Sequence, residues 1–254
     1  ATVTGSTFLR NTAAQFGGAL VVNQGSAITV TDNIFESNVA GVDGGGLIIQ
    51  NISSGNVSRN VFHSNRANPT MGIGGGLKIY NNASPTVTQN TLEANEAFDG
   101  GGMYIELSSA PLISENTLRA NHALRYGGGL VINFASAPVL RNNTIQENTA
   151  ASNGGAIFVN NQSQPTIEQN TISRNVANGS GGGVIFLSSS GSLRGNQILD
   201  NRAAVNGGGV LINTANPEVT DNVIKGNTAA QLGGGLVLLA DSPTEVRRNT
   251  ISSN

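Results

Sequence analysis

Residues 116–132 read Asn-Thr-Leu-Arg-Ala-Asn-His-Ala-Leu-Arg-Tyr-Gly-Gly-Gly-Leu-Val-Ile, and this stretch decides the fold. It contains the pattern Asn-x-Φ-x-x-Asn-x-Ala, where Φ is a large apolar residue, followed by three glycines and then Φ-x-Φ. Apolar and polar residues alternate over runs of a few residues, and each run is interrupted by Asn or Gly. An α-helix has no use for that period, whereas short strands joined by tight corners require it.

The pattern recurs from one end of the chain to the other. Its second Asn falls at Asn11, Asn38, Asn65, Asn95, Asn121, Asn148, Asn175, Asn201, Asn227 and Asn254, at spacings of 26 or 27 residues with one interval of 30. Its first Asn stands at Asn33, Asn60, Asn90, Asn116, Asn143, Asn170, Asn196, Asn222 and Asn249, with Ser6 in its place in the first repeat. Between them runs an apolar column, Phe8, Phe35, Phe62, Leu92, Leu118, Ile145, Ile172, Ile198, Ile224 and Ile251. An aliphatic residue precedes each first Asn by three positions, as at Val30, Ile113 and Leu193. Ala stands two positions after the second Asn in all nine complete cases, which predicts a corner too tight for a larger side chain. Self-similarity at this period is the signature of a solenoid. The expected fold is therefore all-β: a right-handed parallel β-helix of about nine coils, three short strands to a coil, with like residues stacked ~4.8 Å apart. Stacked Asn amides bond one another and the corner backbone, and so form two polar ladders.

Composition is uniform, so residues 1–254 form a single domain; the chain enters mid-coil and stops on a ladder Asn, and it reads as part of a longer solenoid without its caps. Only 11% of residues are charged and the formal net charge is −2 with no basic cluster, so nucleic acid is not a partner. No apolar run approaches the ~18 residues that span a bilayer. The absence of Cys excludes a disulfide scaffold, and no pattern implies a cofactor.

The combination of Gly-Gly-Ala-Φ, at Gly17–Leu20 and Gly154–Ile157, with Phe-x-x-Asn, at Phe8–Asn11, Phe35–Asn38 and Phe62–Asn65, resembles the repeats of chlamydial polymorphic outer-membrane proteins. More broadly it resembles the parallel β-helix repeat superfamily. Later coils depart from the narrower pattern, with Leu or Ile for Phe and Gly-Gly-Gly for Gly-Gly-Ala. The resemblance implies an extracellular or cell-surface passenger that works in adhesion; the wider superfamily also includes lyases, hydrolases and epimerases that act on polysaccharides. Fold by itself does not choose between these.

Two sets of residues stand apart from the scaffold. In the third strand the residue between two inward aliphatics is Val21, Ile48, Lys78, Tyr104, Val131, Phe158, Ile185, Leu211 and Val237, apolar in all but one coil. Strand alternation points it outward, which predicts an exposed stripe of roughly 400 Å² and an interface with a second solenoid or another protein. On another face Glu36, His63, Glu93 and Arg119 occupy one column on successive coils. That column has the groups for proton transfer or weak metal binding; a solvated charge ladder is favoured, because opposite charges paired across strands stabilise a sheet. The leading expectation is thus a non-enzymatic surface or secreted module, a spacer, adhesin passenger or assembly subunit with a protein partner. A polysaccharide-binding or polysaccharide-cleaving solenoid is the alternative. The one insertion, at residues 66–73, holds no titratable group other than Arg66 and predicts no ligand-gripping loop.

Overall fold

The computed structural model describes residues 1–254 and contains strands and turns only. The strands run parallel in three long sheets of 10, 10 and 9 strands that wind as one right-handed solenoid. In the coil that starts at Leu112, for example, the first strand is Leu112–Ser114, the second is Thr117–Arg119 and the third is Leu130–Ile132. A fourth, short ladder forms at the Asn-x-Ala corner, as at His122–Tyr126. It fits there because the corner Ala is buried against the wall of the coil, as Ala97 and Ala123 show.

Register follows the repeat residue for residue. Phe8, Phe35 and Phe62 pair on successive second strands, and their rings stack at 4.7 and 4.6 Å between centroids. The aliphatic columns close into one continuous core of 35 buried residues along the solenoid axis. Each interior side chain is packed by its own likeness above and below.

Both Asn ladders form, and each amide ties together three coils. The Nδ2 of Asn121 donates to Asn148 Oδ1 (2.9 Å) and to the carbonyl of Leu92 (2.9 Å). Its Oδ1 accepts from both the backbone N and the Nδ2 of Asn95, each at 3.0 Å. The same geometry repeats at Asn60, whose Nδ2 reaches Val30 O and Asn90 Oδ1. Ser6 takes the place of the first Asn by donating its backbone N–H to Asn33 Oδ1. The residue before each ladder Asn adopts positive φ, as at Gln89 (φ 56), Ala120 (φ 53) and Arg174 (φ 54), and this left-handed residue turns the chain into the next strand.

The apolar stripe of the third strand does not lie in solvent, which corrects the sequence expectation. Val21, in the first coil, is 40% exposed, but Tyr104, Val131, Phe158, Ile185, Leu211 and Val237 form a second buried cluster, Ile48 is buried, and so is Lys78. The cause is the glycine that opens each triplet. Gly154 (φ 71) and Gly207 (φ 64) sit in the left-handed region and fold the preceding segment back over the strand. A Cβ on Gly154 would come within 2.8 Å of Phe158 Cβ, and one on Gly207 within 2.7 Å of Leu211 Cβ. The strand's outer face is therefore concave, with Ile73 and Tyr126 packed over it from one side and Leu187 and Leu239 from the other. Beyond Val21 the roughly 400 Å² of exposed apolar surface expected there is absent.

Substitution Asn121→Ala leaves two buried donors on Asn95 without their acceptor. At ~1–3 kcal/mol for each unsatisfied group, the loss expected in denaturant unfolding is about 3 kcal/mol or more.

Candidate functional site

Three columns of side chains, stacked coil on coil, build a groove along the concave face. Its floor is the stripe just described. One wall is the residue that precedes each glycine triplet: Phe16, Asp43, Ile73, Asp99, Tyr126, Asn153, Ser180, Asn206 and Leu232. The other is the residue two positions beyond the floor, Gln50, Tyr80, Glu106, Asn133, Asn160, Leu187, Asn213 and Leu239.

The charged end of the groove is built on Lys78, the one polar residue of the floor. Its Nζ lies 2.8 Å from Asp43 Oδ2 on one wall and 3.1 Å from Glu106 Oε1 on the other, and it sits over the Tyr80 ring at 4.6 Å. All three ionic side chains are almost wholly withdrawn from water. Burial pushes the Glu106 carboxyl above the usual carboxylate range, and Lys78 opposes that push. Burial, reinforced by the nearby Glu106 charge, likewise raises the Tyr104 phenol well above its ordinary value.

One coil on, Arg125 binds Asp99 bidentately, Nε to Oδ1 at 3.0 Å and Nη2 to Oδ2 at 2.5 Å. The guanidinium lies between two rings, 4.5 Å from the Phe98 centroid and 4.6 Å from that of Tyr126. This hydrogen bond to Asp99 holds the guanidinium above its already high value, so it stays charged. Tyr126 stacks on Phe158 at 4.6 Å, and Asn133 Nδ2 donates to the Tyr104 hydroxyl at 2.8 Å. Together these residues line a cavity of about 390 Å³, completed by Thr70, Met71, Val131, Phe134, Asn160 and Asn161. A neighbouring cavity of about 300 Å³ lies over Lys78, Tyr80 and Phe16.

Asp43 and Asp99 also have a scaffold role. Asp43 Oδ1 accepts the backbone N–H of Ile73, and Asp99 Oδ1 that of Tyr126, at 3.0 Å each; Asn153 does the same for Ser180 at 2.8 Å. The wall that precedes the glycines is thus a third, partial ladder.

The sequence of this chain is matched over residues 1–172 and again over 141–254 by the family described as the right handed beta helix region. The chain belongs to that family. No curated protein and no solved structure matches it.

Within this β-helix the candidate residues read from sequence part company. Glu36, His63, Glu93 and Arg119 do fall in one column, register His63 with Glu36 and Glu93, and Glu93 with Arg119. They stand on the second sheet, where Arg119 pairs with Glu93, and they line none of the cavities. His122 has Glu96 beside it at 3.8 Å, and Glu96 also holds Arg66 from the coil before at 2.9 Å. The insertion at residues 66–73 predicts no gripping loop, yet its Thr70, Met71 and Ile73 form one rim of the cavity beside Arg125. The floor of the groove is the column singled out from the sequence, whereas neither wall reads there as a site. The signal was present in the columns two positions beyond the floor and one before the glycines, where Asp43, Tyr80, Asp99, Glu106 and Tyr126 interrupt a series of amides, serine and apolar residues.

Substitution Lys78→Met strands two buried carboxylates and is expected to cost about 3–5 kcal/mol at neutral pH. For Glu106 the folded carboxyl holds its proton at a pH where the unfolded one has released it. Its contribution to stability is therefore fully present at acid pH and is lost as pH rises through the raised folded value. The deficit of Lys78→Met should accordingly shrink on acidification, as the stranded Glu106 carboxyl takes up its proton; thermal unfolding between about pH 4 and 7 checks this.

Proposed function

We propose that this β-helix is a non-enzymatic, secreted or surface-displayed module that holds an extended saccharide chain along its concave groove, in the manner of an adhesin. One observation carries the reading: every carboxylate of the groove is engaged by a cation, Asp43 and Glu106 by Lys78 and Asp99 by Arg125, among the rings of Tyr80, Tyr104, Tyr126 and Phe158. Carboxylates held this way are pinned to neighbouring side chains rather than directed at a substrate, whereas a concave site of rings and a few fixed polar groups is what ligand binding needs. Towards the C-terminal coils the walls turn to amides, Asn133, Asn153, Asn160, Asn206 and Asn213, which exchange hydrogen bonds with hydroxyls without a change of charge.

Surface display is supported by the Gly-Gly-Ala and Phe-x-x-Asn repeats, which resemble the passenger repeats of chlamydial polymorphic outer-membrane proteins. A saccharide partner is favoured over a second protein because the apolar stripe is already covered by the chain itself. Against cleavage by the Glu36, His63, Glu93 and Arg119 column stands its place on a sheet with no cavity over it and the pairing of Glu93 with Arg119.

Incubated with a panel of polysaccharides, the protein is expected to be retained by at least one of them and to leave the chain-length distribution of all of them unchanged, read by affinity electrophoresis and by size-exclusion chromatography of the polymer. Shortened polymer, abolished by His63→Ala, would reverse the reading in favour of an enzyme.

A further inference from the structure

We propose that the cavity between Phe98, Arg125, Tyr126 and Phe134 is a subsite for one uncharged pyranose ring of the bound chain, and that this groove selects neutral saccharides over uronates. The inference rests on the groove being the saccharide site and adds to it the place and the charge class of the ligand.

The first ground is a residue the scaffold does not ask for. Phe134 occupies the turn after the third strand with φ 49 and is 46% exposed. Backbone pairing places it in one column with Asn81, Leu107, Asn161 and Ser188. Asn suits a left-handed backbone because its short polar side chain tolerates it, while a bulky ring there is strained. The solenoid gains no core packing from an exposed ring, so the ring is placed for something outside the chain. It rims the same cavity as Tyr126, whose other neighbours Phe158 and Arg125 fix its plane.

The second ground is free hydrogen-bonding capacity facing that cavity. Arg125 spends Nε and Nη2 on Asp99, and its Nη1 donates to no protein atom. The half-buried Asn160 side chain has no partner within the protein, and the Tyr104 hydroxyl accepts from Asn133 but donates to nothing, although Tyr104 is only 4% exposed. Rings that offer a flat apolar face, with unspent donors and an amide at their edge, match a pyranose, which presents C–H groups on its face and hydroxyls around its rim.

The third ground is charge. Three carboxylates, Asp43, Asp99 and Glu106, face two cations, Lys78 and Arg125. The groove is therefore short of positive charge before any ligand arrives, and Arg125 is already matched by a buried Asp99. A uronate would bring a further negative charge close to Asp99, and the one cation of this cavity, Arg125, already carries Asp99 on two of its donors.

Isothermal titration of the intact chain with cellohexaose, xylohexaose, chitohexaose and hexagalacturonate tests this, in parallel with variants Phe134→Asn and Arg125→Ala and with their melting temperatures. The expected result is binding of a neutral hexasaccharide and none of the uronate. Phe134→Asn is expected to weaken binding at least tenfold while its melting temperature stays level or rises, because it restores the residue type the turn prefers; a merely structural ring would not dissociate the two readouts. Binding of a neutral ligand that Phe134→Asn leaves untouched overturns the subsite and keeps the groove. Preference for hexagalacturonate overturns the charge selection alone. Failure of all four saccharides to bind, with the protein folded, overturns both the subsite and the saccharide reading beneath it.

Discussion

The structure hangs on the stacked asparagine amides of its corners. At each corner a backbone N–H is turned out of the sheet and buried, and a short primary amide accepts from it while its two donors reach a strand carbonyl and the next Asn. Asn121 meets both needs and, through its remaining atoms, bonds the next Asn along the axis. Because each ladder Asn repeats this, every coil fixes the height and rotation of its neighbour. The aliphatic columns then stack in register with no freedom left to slip. The glycine corners depend on the same order: a Cβ on Gly76, Gly102 or Gly183 would press against the carbonyl of the matching residue one coil on, so these positions are narrow because the neighbours are held close.

That rigidity makes a groove of otherwise ordinary residues. Floor and walls come from residues far apart in sequence and about one coil spacing apart in space, so Lys78 meets Asp43 and Glu106 across three coils, and Tyr126 meets Phe158 across two. Ion pairs on the open faces, such as Arg59 with Asp32 and Arg248 with Asp221, are of the same cross-coil kind but stand in water and carry little energy. Inside the groove the carboxylates of Asp43, Asp99 and Glu106 are largely withdrawn from solvent, each paired with Lys78 or Arg125, and ring faces and amides line the space beside them.

Much of this was legible beforehand and part was not. Period, strand alternation, the two Asn ladders and the burial of Phe35, Phe62 and the aliphatic columns follow from composition and spacing, since like residues at one repeat position must share one environment. The floor of the groove was identified residue by residue from Val21 to Val237, but its setting was misread. Strand alternation says that Phe158 points away from the axis; it does not say what lies on that side. Lys78 looked like a break in an apolar stripe and is the centre of a buried ion triad. The insertion around Met71 looked inert because Arg66 is its one titratable group, and it contributes rim and shape instead.

The sequence by itself determined a parallel solenoid, its register, its core and its polar ladders, because each of these is set by periodic contacts between equivalent residues one coil apart. Only the tertiary structure decided that the outer face of the third strand is concave, which walls close over it, and that Arg125, Tyr126, Phe134 and Asn160 converge on one cavity. That outcome depends on the angle through which left-handed residues such as Gly154 turn the backbone between strands. A repeat pattern records which residues are equivalent and carries no record of that angle.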